Sequence, residues 1–345
     1  MLKPLSLPAI SEAPLVSILV ASYNYEAYIT EAVQSAQRQT YSKLEIIVCD
    51  DGSSDNSCDI VAALAKEDDR ISLLRQENAG VAAALNRAFD VAKGEIICLL
   101  DADDTFHKDK VARVIQKMHT NSNVGFVQHA MDVVDDKGQV LKALPAHGLF
   151  EEGWLAQKLI ERGGRWRNMP ASALSFRREI AALLFPLSPE KLRSMADAYL
   201  YMLAPLLTEV GYLKERLSAY RLHGANLTGS TVFNATVSRK YVAGIKRVHD
   251  CVHAAVQSRN LSLPEFDTSR HLTYQEHHFM VSLFEGDDPV ELKKMYKALA
   301  VQIDADDLYP EKRKRLGKMV LGVARRLPLV LRERWITWAM GGWRR

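Results

Sequence analysis

Three carboxylates stand close together at the end of an apolar run. The stretch CLLDADD, residues 98–104, places Asp101, Asp103 and Asp104 around Ala102. Carboxylates this close repel one another, and a divalent cation, which prefers oxygen ligands, would offset that repulsion. Alternation along the strand end predicts Asp101 and Asp103 on one face, with Ala102 pointing away. The stretch therefore predicts a cation site.

Two other interpretations of the same stretch stay open. A strand-to-helix turn with aspartate caps needs no cation, because Asp is common at helix starts. The run ICLLDADDT also resembles the first motif of haloacid-dehalogenase-type phosphatases, which would make Asp101 a nucleophile and Asp103 an acid/base. That motif normally lies on the first strand of its fold, whereas here it ends the fourth predicted strand.

Two more polar clusters follow apolar runs nearer the N-terminus. In SYNY, Tyr23 offers a stacking surface and Asn24 a turn residue with a polar contact. In CDDGSSD, Asp50 and Asp51 offer carboxylates that can accept from a base imide N–H or from ribose hydroxyls. A tight turn at Gly52 followed by a helix cap explains the second cluster equally well.

The first 130 residues alternate between short apolar runs, typical of buried strands, and amphipathic helical segments. This alternation indicates βαβ units and a mostly parallel sheet. Ligands bind beyond the carboxyl ends of such strands, so the three polar clusters are expected at one rim. The predicted strands are 15–21, 44–50, 71–76, 95–100 and 124–129, and helices are predicted over 25–39, up to 66, over 80–94 and over 109–118.

After residue 130 the pattern becomes looser. A hairpin turning at Lys137 and Gly138 is followed by a predicted helix over 194–211 and a strand from Tyr212. Beyond about residue 233 the chain has helical periodicity without motifs. The predicted fold class is α/β with a helical C-terminal extension, divided into residues 1–130, 131–233 and 234–345.

Residues 16–105 resemble the inverting glycosyltransferases of family 2. The resemblance lies in the order and spacing of four motifs, VSILVASYNY, VCDDGSSD, ENAGVAAALNRAFD and ICLLDADD. It resumes at PASALSFRRE and at MADAYLYMLAPLLTEVGYLKERLSAYRLHGANLT. It implies the GT-A (Rossmann-like) fold, with nucleotide-sugar binding in residues 1–130 and acceptor binding and catalysis in residues 131–233.

The resemblance also implies roles for individual residues. Asp51 would contact the base beside Tyr23, Asp101 would hold the ribose, and Asp103 would bind Mn²⁺ or Mg²⁺. Asp104 would lie behind these ligands. The residues implied to bind the donor are Ala21, Tyr23, Asn24, Asp50, Asp51, Asn86, Asp101, Ala102 and Arg221, and the implied metal ligands are Asp103 and His223.

The implied general base is Asp197. Members of the family carry an acidic pair at the start of a helix in this region, and here the chain reads MAD, so Ala196 replaces the first acid. The resemblance implies one inverting displacement, in which Asp197 takes the acceptor proton while the cation and Arg221 stabilise the leaving diphosphate. The lost acid keeps a non-catalytic sugar-nucleotide binder as a further alternative.

The substrates are implied only as classes. The family leads us to expect a UDP-sugar donor and a glycan or lipid-linked saccharide acceptor, in the synthesis of bacterial cell-surface polysaccharide. No segment indicates a nucleic-acid-binding domain.

Positive charge is concentrated at the C-terminus. Residues 311–345 hold eleven Lys or Arg and two Asp or Glu, although the whole chain has a net charge of only +3. These basic residues alternate with Leu, Val and three Trp, a pattern typical of interfacial helices on a membrane. A terminal helix pair packed on the body, with its basic residues in solvent, is the alternative.

Four cysteines, Cys49, Cys58, Cys98 and Cys251, form no CxxC pair. Two of them lie in apolar runs and are predicted to be buried thiols in a reducing compartment. We find neither a secretory leader nor an apolar run of about 18 residues. A cytoplasmic protein at the inner face of the cytoplasmic membrane is therefore expected.

Overall fold

The computed structural model describes residues 3–144, 150–223, 234–261 and 263–341. The chain divides into two compact units. The first contains residues 1–157, 167–227 and 255–263, and the second contains residues 158–166, 228–254 and 264–345. The predicted division at residues 130 and 233 stays a prediction, and residue 233 itself lies outside the described residues.

A mixed sheet forms the centre of the first unit. The long strands β1 to β4, β6 and β9 run in the same direction, whereas β5, β7 and β8 are antiparallel to their neighbours. The order is β3-β2-β1-β4-β8-β6-β9-β5, with β7 paired to β6. In the described part of the chain the strands are β1 (Val16–Ser22), β2 (Leu44–Asp50), β3 (Ile71–Arg75), β4 (Ile96–Asp101), β5 (Thr105–Phe106), β6 (Val124–Val134), β7 (Val140–Leu144), β8 (Ser175–Arg177) and β9 (Glu209–Arg221).

Helices cover both faces of this sheet, which explains why its central strands are apolar at consecutive positions. One face, which includes Ile18 and Cys98, packs against α1, α2 and α4. Leu19 and Ile47 point the opposite way, towards α3, which packs on β1 and β2. The helices are α1 (Ile29–Gln37), α2 (Ser57–Glu67), α3 (Val81–Val91) and α4 (Lys110–Thr120), followed by the shorter α5 (Ala156–Glu161) and α6 (Arg178–Leu184).

Several predicted helix ends are wrong, and α1 covers Ile29–Gln37 instead of residues 25–39. Helix α3 ends at Val91, three residues before its predicted end at Gly94. Gly94 is instead required where the chain approaches β1, because a Cβ atom there would lie 2.4 Å from Ser17 N. The helix predicted over 194–211 also ends early, as α7 (Ala196–Leu207), because the residues from Glu209 onward pair with β6 as strand β9.

The described residues beyond 233 contain helices and no strand, as predicted. Leu283, Val320 and Ile336 lie in the apolar cluster that α9 to α12 share. Not one helix in the described ranges has both the length and the apolar character needed to cross a membrane. These helices are α8 (Ala235–Ser258), α9 (Leu272–Glu285), α10 (Pro289–Ala305), α11 (Glu311–Ala324) and α12 (Leu329–Gly341).

Candidate active site

Three strand ends meet at one rim of the sheet. The pairing of β1 with β2 puts Ser22 beside Asp50, and the pairing of β1 with β4 puts Ala21 beside Asp101. The carboxyl ends of parallel strands lie at the same edge of a sheet, so the polar segments that follow them are neighbours. The structure therefore brings together the three clusters expected at one rim, with Ala21 between two of them.

The aspartate cluster, Asp101, Asp103 and Asp104, is built by a turn. Strand β4 ends at Asp101, and Asp104 N donates to Asp101 O at 3.1 Å. A turn, and not strand alternation, therefore sets the side-chain directions beyond Asp101, and Asp101 and Asp103 lie together with Ala102 pointing away, as predicted. The turn gathers one carboxylate oxygen from each aspartate within 4.8 Å of the others. Ala102 is buried in the apolar cluster below them.

This cluster holds more negative charge than its surroundings balance. Burial raises the pKa of Asp101 well above its usual value, and repulsion from Asp104, Asp103 and Asp197 adds to the shift. Burial and Asp103 raise the pKa of Asp104 to about 8, although Ser172 and Arg221 oppose the shift. Asp104 Oδ2 is buried and accepts no hydrogen bond from the described residues. Crowded oxygen ligands with excess charge fit a divalent cation.

His223 reaches the aspartate cluster from the end of β9. Its Nε2 lies 2.9 Å from Asp103 Oδ2, and both side chains are about nine-tenths buried. The imidazole stacks on the Tyr28 ring at 4.8 Å and meets the edge of Tyr25 at 6.2 Å. The two predicted metal ligands are thus neighbours. The loop expected to continue from His223, residues 224–226, lies outside the described residues.

Arg221 holds the aspartate turn in place. Its backbone N–H donates to Asp104 Oδ1 at 2.9 Å, and its Nε donates to Asp103 O at 3.0 Å. The same guanidinium pairs with Glu31 and donates to Asp136 O at 3.1 Å. Arg221 is therefore buried among protein acceptors and positions Asp103 and Asp104. Its predicted contact with the donor phosphates stays a prediction.

Asp50 and Asp51 differ in how their carboxylates are used. Asp51 accepts from Gln76 Nε2 at 2.7 Å, Ala79 N at 2.8 Å and Gly80 N at 2.7 Å, so it orders the loop before α3. Asp50 Oδ1 is buried and accepts no hydrogen bond from any described residue. Both acids lie at the rim, and the free acceptor belongs to Asp50. Their predicted nucleotide contacts stay predictions.

Tyr23 and Asn24 border the same rim. Tyr23 is 46% exposed, which leaves its ring open to a stacking partner. Asn24 has a φ of 58°, in the left-handed region that Asn tolerates. Its Oδ1 accepts from Ser54 N at 2.8 Å and its N–H donates to Ser53 Oγ at 2.9 Å. Asn24 therefore joins the segments that follow β1 and β2.

Both polar atoms of the Asn86 side-chain amide form hydrogen bonds with the backbone. Its Nδ2 donates to Leu187 O at 2.8 Å, and its Oδ1 accepts from Leu187 N at 2.7 Å. These two bonds tie α3 to the segment after α6. The polar residue at this position thus has an architectural role, and its predicted place in the donor site stays a prediction.

Asp197 lies in the first turn of α7. Its Oδ1 accepts from Ala198 N at 2.8 Å, and burial raises its pKa. Asp197 is close enough to the aspartate cluster to raise the pKa of Asp101. Ala196, where the family resemblance implies a second acid, is buried. The chain thus brings one candidate base to the cluster, with a raised pKa suited to accepting a proton.

Ser172 and Lys110 support the cluster and were missed by the sequence reasoning. Ser172 Oγ accepts from Asp101 N at 3.0 Å, and Ser172 O accepts from Lys110 Nζ at 3.2 Å. The Lys110 ammonium is fully buried, 3.4 Å above the Phe106 ring, and burial lowers its pKa to about 8. A lysine in an amphipathic helix is normally expected to lie on the face exposed to solvent. In the sequence, the signal for Ser172 was its place in PASALSFRRE, a segment that resembles the family.

Comparison with known proteins gives a consistent family. Residues 17–184 match the family described as Glycosyl transferase family 2. An uncharacterised glycosyltransferase of Nostoc sp. is 35% identical over 61% of this chain and 66% of its own length. The putative glycosyltransferase EpsH of Bacillus subtilis is 31% identical over 61% of this chain and 62% of its own length. The chain thus spans slightly less than two thirds of these two relatives.

Solved structures agree on the fold. The crystal structure of S. aureus TarS 1–349 in complex with UDP superposes with a TM-score of 0.54 at 17% identity, covering 95% of this chain and 91% of that one. A mannosyltransferase from Pyrobaculum calidifontis in complex with GDP-Man and Mn²⁺ gives a TM-score of 0.51 at 17% identity, covering 99% and 88%. At this identity the likeness concerns the fold alone.

These findings agree with the architecture described above. They lend no support to the phosphatase or to the non-catalytic alternative. The aspartate cluster ends the fourth strand, as predicted, and not the first strand, where the phosphatase motif normally lies. The predicted GT-A fold is confirmed. Residues 17–184 therefore form a domain of glycosyltransferase family 2.

Proposed function

We propose that this protein transfers a sugar from a nucleotide sugar, with UDP as the expected nucleotide, to an acceptor hydroxyl in one inverting displacement. The observation that carries the proposal is the meeting of the aspartate cluster with Asp197 at the rim of the sheet. Solved structures of the same fold contain UDP, UDP-GlcNAc or GDP-Man, which supports a nucleotide-sugar donor.

The donor would lie across the rim formed by β1, β2 and β4. Tyr23 would stack on the base, Asp50 and Asp51 would accept from its N–H groups or from the ribose, and Asp101 would hold the ribose hydroxyls. The free Oδ1 of Asp50 makes this carboxylate the better acceptor of the two. Ala21 and Ala102 would contribute backbone atoms to the floor of this site, since the side chain of Ala102 points into the apolar cluster.

Asp103 and His223 would hold Mn²⁺ or Mg²⁺, with Asp104 and Arg221 fixing the turn behind them. When bound, the cation would supply positive charge to the diphosphate as it leaves. Mn²⁺ in the related mannosyltransferase structure supports this assignment. Asp197 would take the proton of the attacking hydroxyl, and its raised pKa increases its basicity for that step.

For the acceptor, we infer a glycan or lipid-linked saccharide used in cell-surface polysaccharide synthesis. A saccharide on a lipid would require the enzyme to work at the inner surface of the cytoplasmic membrane. The basic C-terminal helices α11 and α12 would hold it there.

The test is a panel of UDP-sugars and GDP-mannose, assayed for release of the nucleoside diphosphate with Mn²⁺, with Mg²⁺ and with EDTA. We expect cation-dependent release that Asp103→Ala reduces by about 10³-fold. Asp59→Asn is the matched control, because Asp59 is an exposed acid on α2 outside the cluster. With an acceptor in hand, NMR of the product anomer tests inversion.

Other outcomes would overturn the proposal. Turnover of a simple phosphomonoester through a phosphorylated Asp101 would establish the phosphatase alternative. Donor binding without release of the diphosphate under any cation or acceptor condition would establish the non-catalytic binder.

A further inference from the structure

Helix α12 carries large apolar side chains on its outward face as well as on its inward face. On the inward side Ile336 is fully buried, and Trp335 and Ala339 pack against the same apolar cluster. On the outward side Val330 is 80% exposed and Trp338 is 74% exposed. A helix at the surface of a soluble unit normally presents polar residues outward, so this second apolar face requires a partner.

The outward residues form one stripe. Val330, Arg334 and Trp338 are spaced four residues apart, which places them on the same side of the helix, with Leu331 at its edge. The Trp338 ring lies 5.4 Å from Trp335, whose Nε1 donates to Val320 O of α11 at 3.0 Å. The exposed indole of Trp338 is therefore in contact with a Trp that is itself bonded to α11.

Basic side chains accompany this stripe on α11, on α12 and in the turn between the two helices. Arg334 is part of it, and Arg326, in the turn before α12, lies four residues ahead of Val330. On α11, Lys312 and Arg315 line a surface depression of about 490 Å³ together with Glu311, Leu316 and Met319. These four Lys and Arg side chains are in no ion pair within the described ranges, whereas the neighbouring Lys318 pairs with Asp304.

We propose that Val330, Leu331 and Trp338 insert into the interfacial layer of an anionic lipid membrane, while Arg326, Arg334, Lys312 and Arg315 bind its headgroups. We call these residues the lipid patch. Aliphatic side chains beside an exposed Trp, with unpaired Lys and Arg around them, match the two attractions that hold a protein at a bilayer surface. The lipid patch lies wholly in the second unit and needs no part of the proposed donor chemistry.

A lipid surface fits the lipid patch better than a second copy of the chain does. A symmetric dimer would bring the same basic side chains against one another, and like charges in contact oppose association. An anionic membrane instead offers opposite charge across the whole patch. The apolar stripe is also one helix wide, which suits shallow insertion rather than a large protein interface.

The experiment is co-sedimentation of the full chain with phosphatidylcholine vesicles, with and without about 30% phosphatidylglycerol. We expect binding that requires phosphatidylglycerol and weakens with added salt. The double variant Val330→Ser/Trp338→Ser should lower the partition coefficient about 100-fold, and Arg326→Gln/Arg334→Gln about 10-fold. Val140→Ser is the matched control, because Val140 is 60% exposed in the first unit.

A second measurement does not depend on how well the double variant folds. Vesicles with bromine-labelled acyl chains should quench the emission of the wild-type protein, and Trp338→Phe should lose part of that quenching. Vesicle binding that is unchanged in the double variant would overturn the proposal, as would no binding by the wild type. A wild-type dimer in ultracentrifugation that Val330→Ser/Trp338→Ser converts to monomer would assign the patch to self-association instead. The inference rests on the membrane location in the proposed function, but donor hydrolysis should be unchanged in every variant, so its failure is distinguishable from failure of the proposed donor chemistry.

Discussion

Both units bury ionisable side chains, but they balance the charge differently. In the first unit the carboxylates of Asp101, Asp103 and Asp104 face one another. In the second unit the acids face donors, since Arg165 pairs with Asp306 and Tyr309 Oη donates to Glu276 Oε2 at 2.9 Å. We call this second group, Arg165, Glu276, Asp306 and Tyr309, the paired cluster.

The difference separates a candidate binding site from structural packing. Charges that are buried in mutual contact raise one another's pKa and leave free energy that a ligand of opposite charge can recover. Charges that are buried with partners recover that free energy within the fold itself. We therefore expect substitutions in the first group to change catalysis and ligand response, and substitutions in the second group to change folding.

The largest expected effect is on catalysis at Asp197. Asp197→Asn should lower kcat by about 10³-fold, because the acceptor hydroxyl would lose its proposed base, with little change in the KM of the donor. Burial raises the pKa of Asp197, so the acid limb of the wild-type kcat profile should lie above the usual pKa of 3.8 and be absent in the variant. Steady-state kinetics at saturating cation measures both. Equal loss of donor affinity would instead make Asp197 a binding residue.

The next effect is on folding, in the paired cluster. Arg165→Met should lower the free energy of unfolding by about 3 kcal/mol, because it leaves the carboxylate of Asp306 buried without its cation. Urea denaturation of the full chain measures this. Arg239→Met is the control, since the ion pair of Arg239 with Glu285 is exposed and should contribute less than about 1 kcal/mol. A large loss of donor binding with unchanged stability would contradict the comparison.

A smaller effect on stability is expected at Asp101, where the substitution should raise the free energy of unfolding instead of lowering it. The folded-state pKa of Asp101 lies above its unfolded value, so the fold binds this proton more tightly and loses stability as pH rises through that window. Without a cation at pH 8, Asp101→Asn should raise the free energy of unfolding by about 2 kcal/mol. Mn²⁺ should stabilise the wild type more than the variant, because in the wild type the cation also offsets the charge of Asp101. Urea denaturation with EDTA and with Mn²⁺ measures this, with Asp59→Asn as the control.

The smallest effect concerns a buried histidine of the second unit. Burial lowers the pKa of His249 to about 4, and neither ring nitrogen has a hydrogen-bond partner among the described residues. Between pH 6.5 and 4 the unfolded chain binds a proton that the fold does not, so stability falls as pH falls. His249→Phe should reduce this loss by about 1 kcal/mol at pH 5, whereas His278→Phe, at an exposed position, should not.

Much of the fold could be predicted because it follows from local sequence. Each apolar run with β-branched residues forms a strand, and in parallel strands the segments that follow meet at one rim. The positions of Tyr23, Asp50 and Asp101 at that rim could therefore be predicted from the sequence. Helix ends were harder to predict. The end of α7 depends on the pairing of the next segment, β9, with β6, which lies about 80 residues earlier in the chain.

The sequence by itself determined where the long strands lie along the chain and which polar clusters follow them, because periodicity and turn chemistry act between near neighbours. Only the tertiary structure decided how those clusters are supported. Arg221 meets Glu31 across 190 residues of chain, and Lys110 meets Ser172 across 62. Such contacts have no spacing rule, since they exist only after separate elements pack. The same is true of the free oxygen of Asp50, which remains because the packed loop uses Asp51 instead.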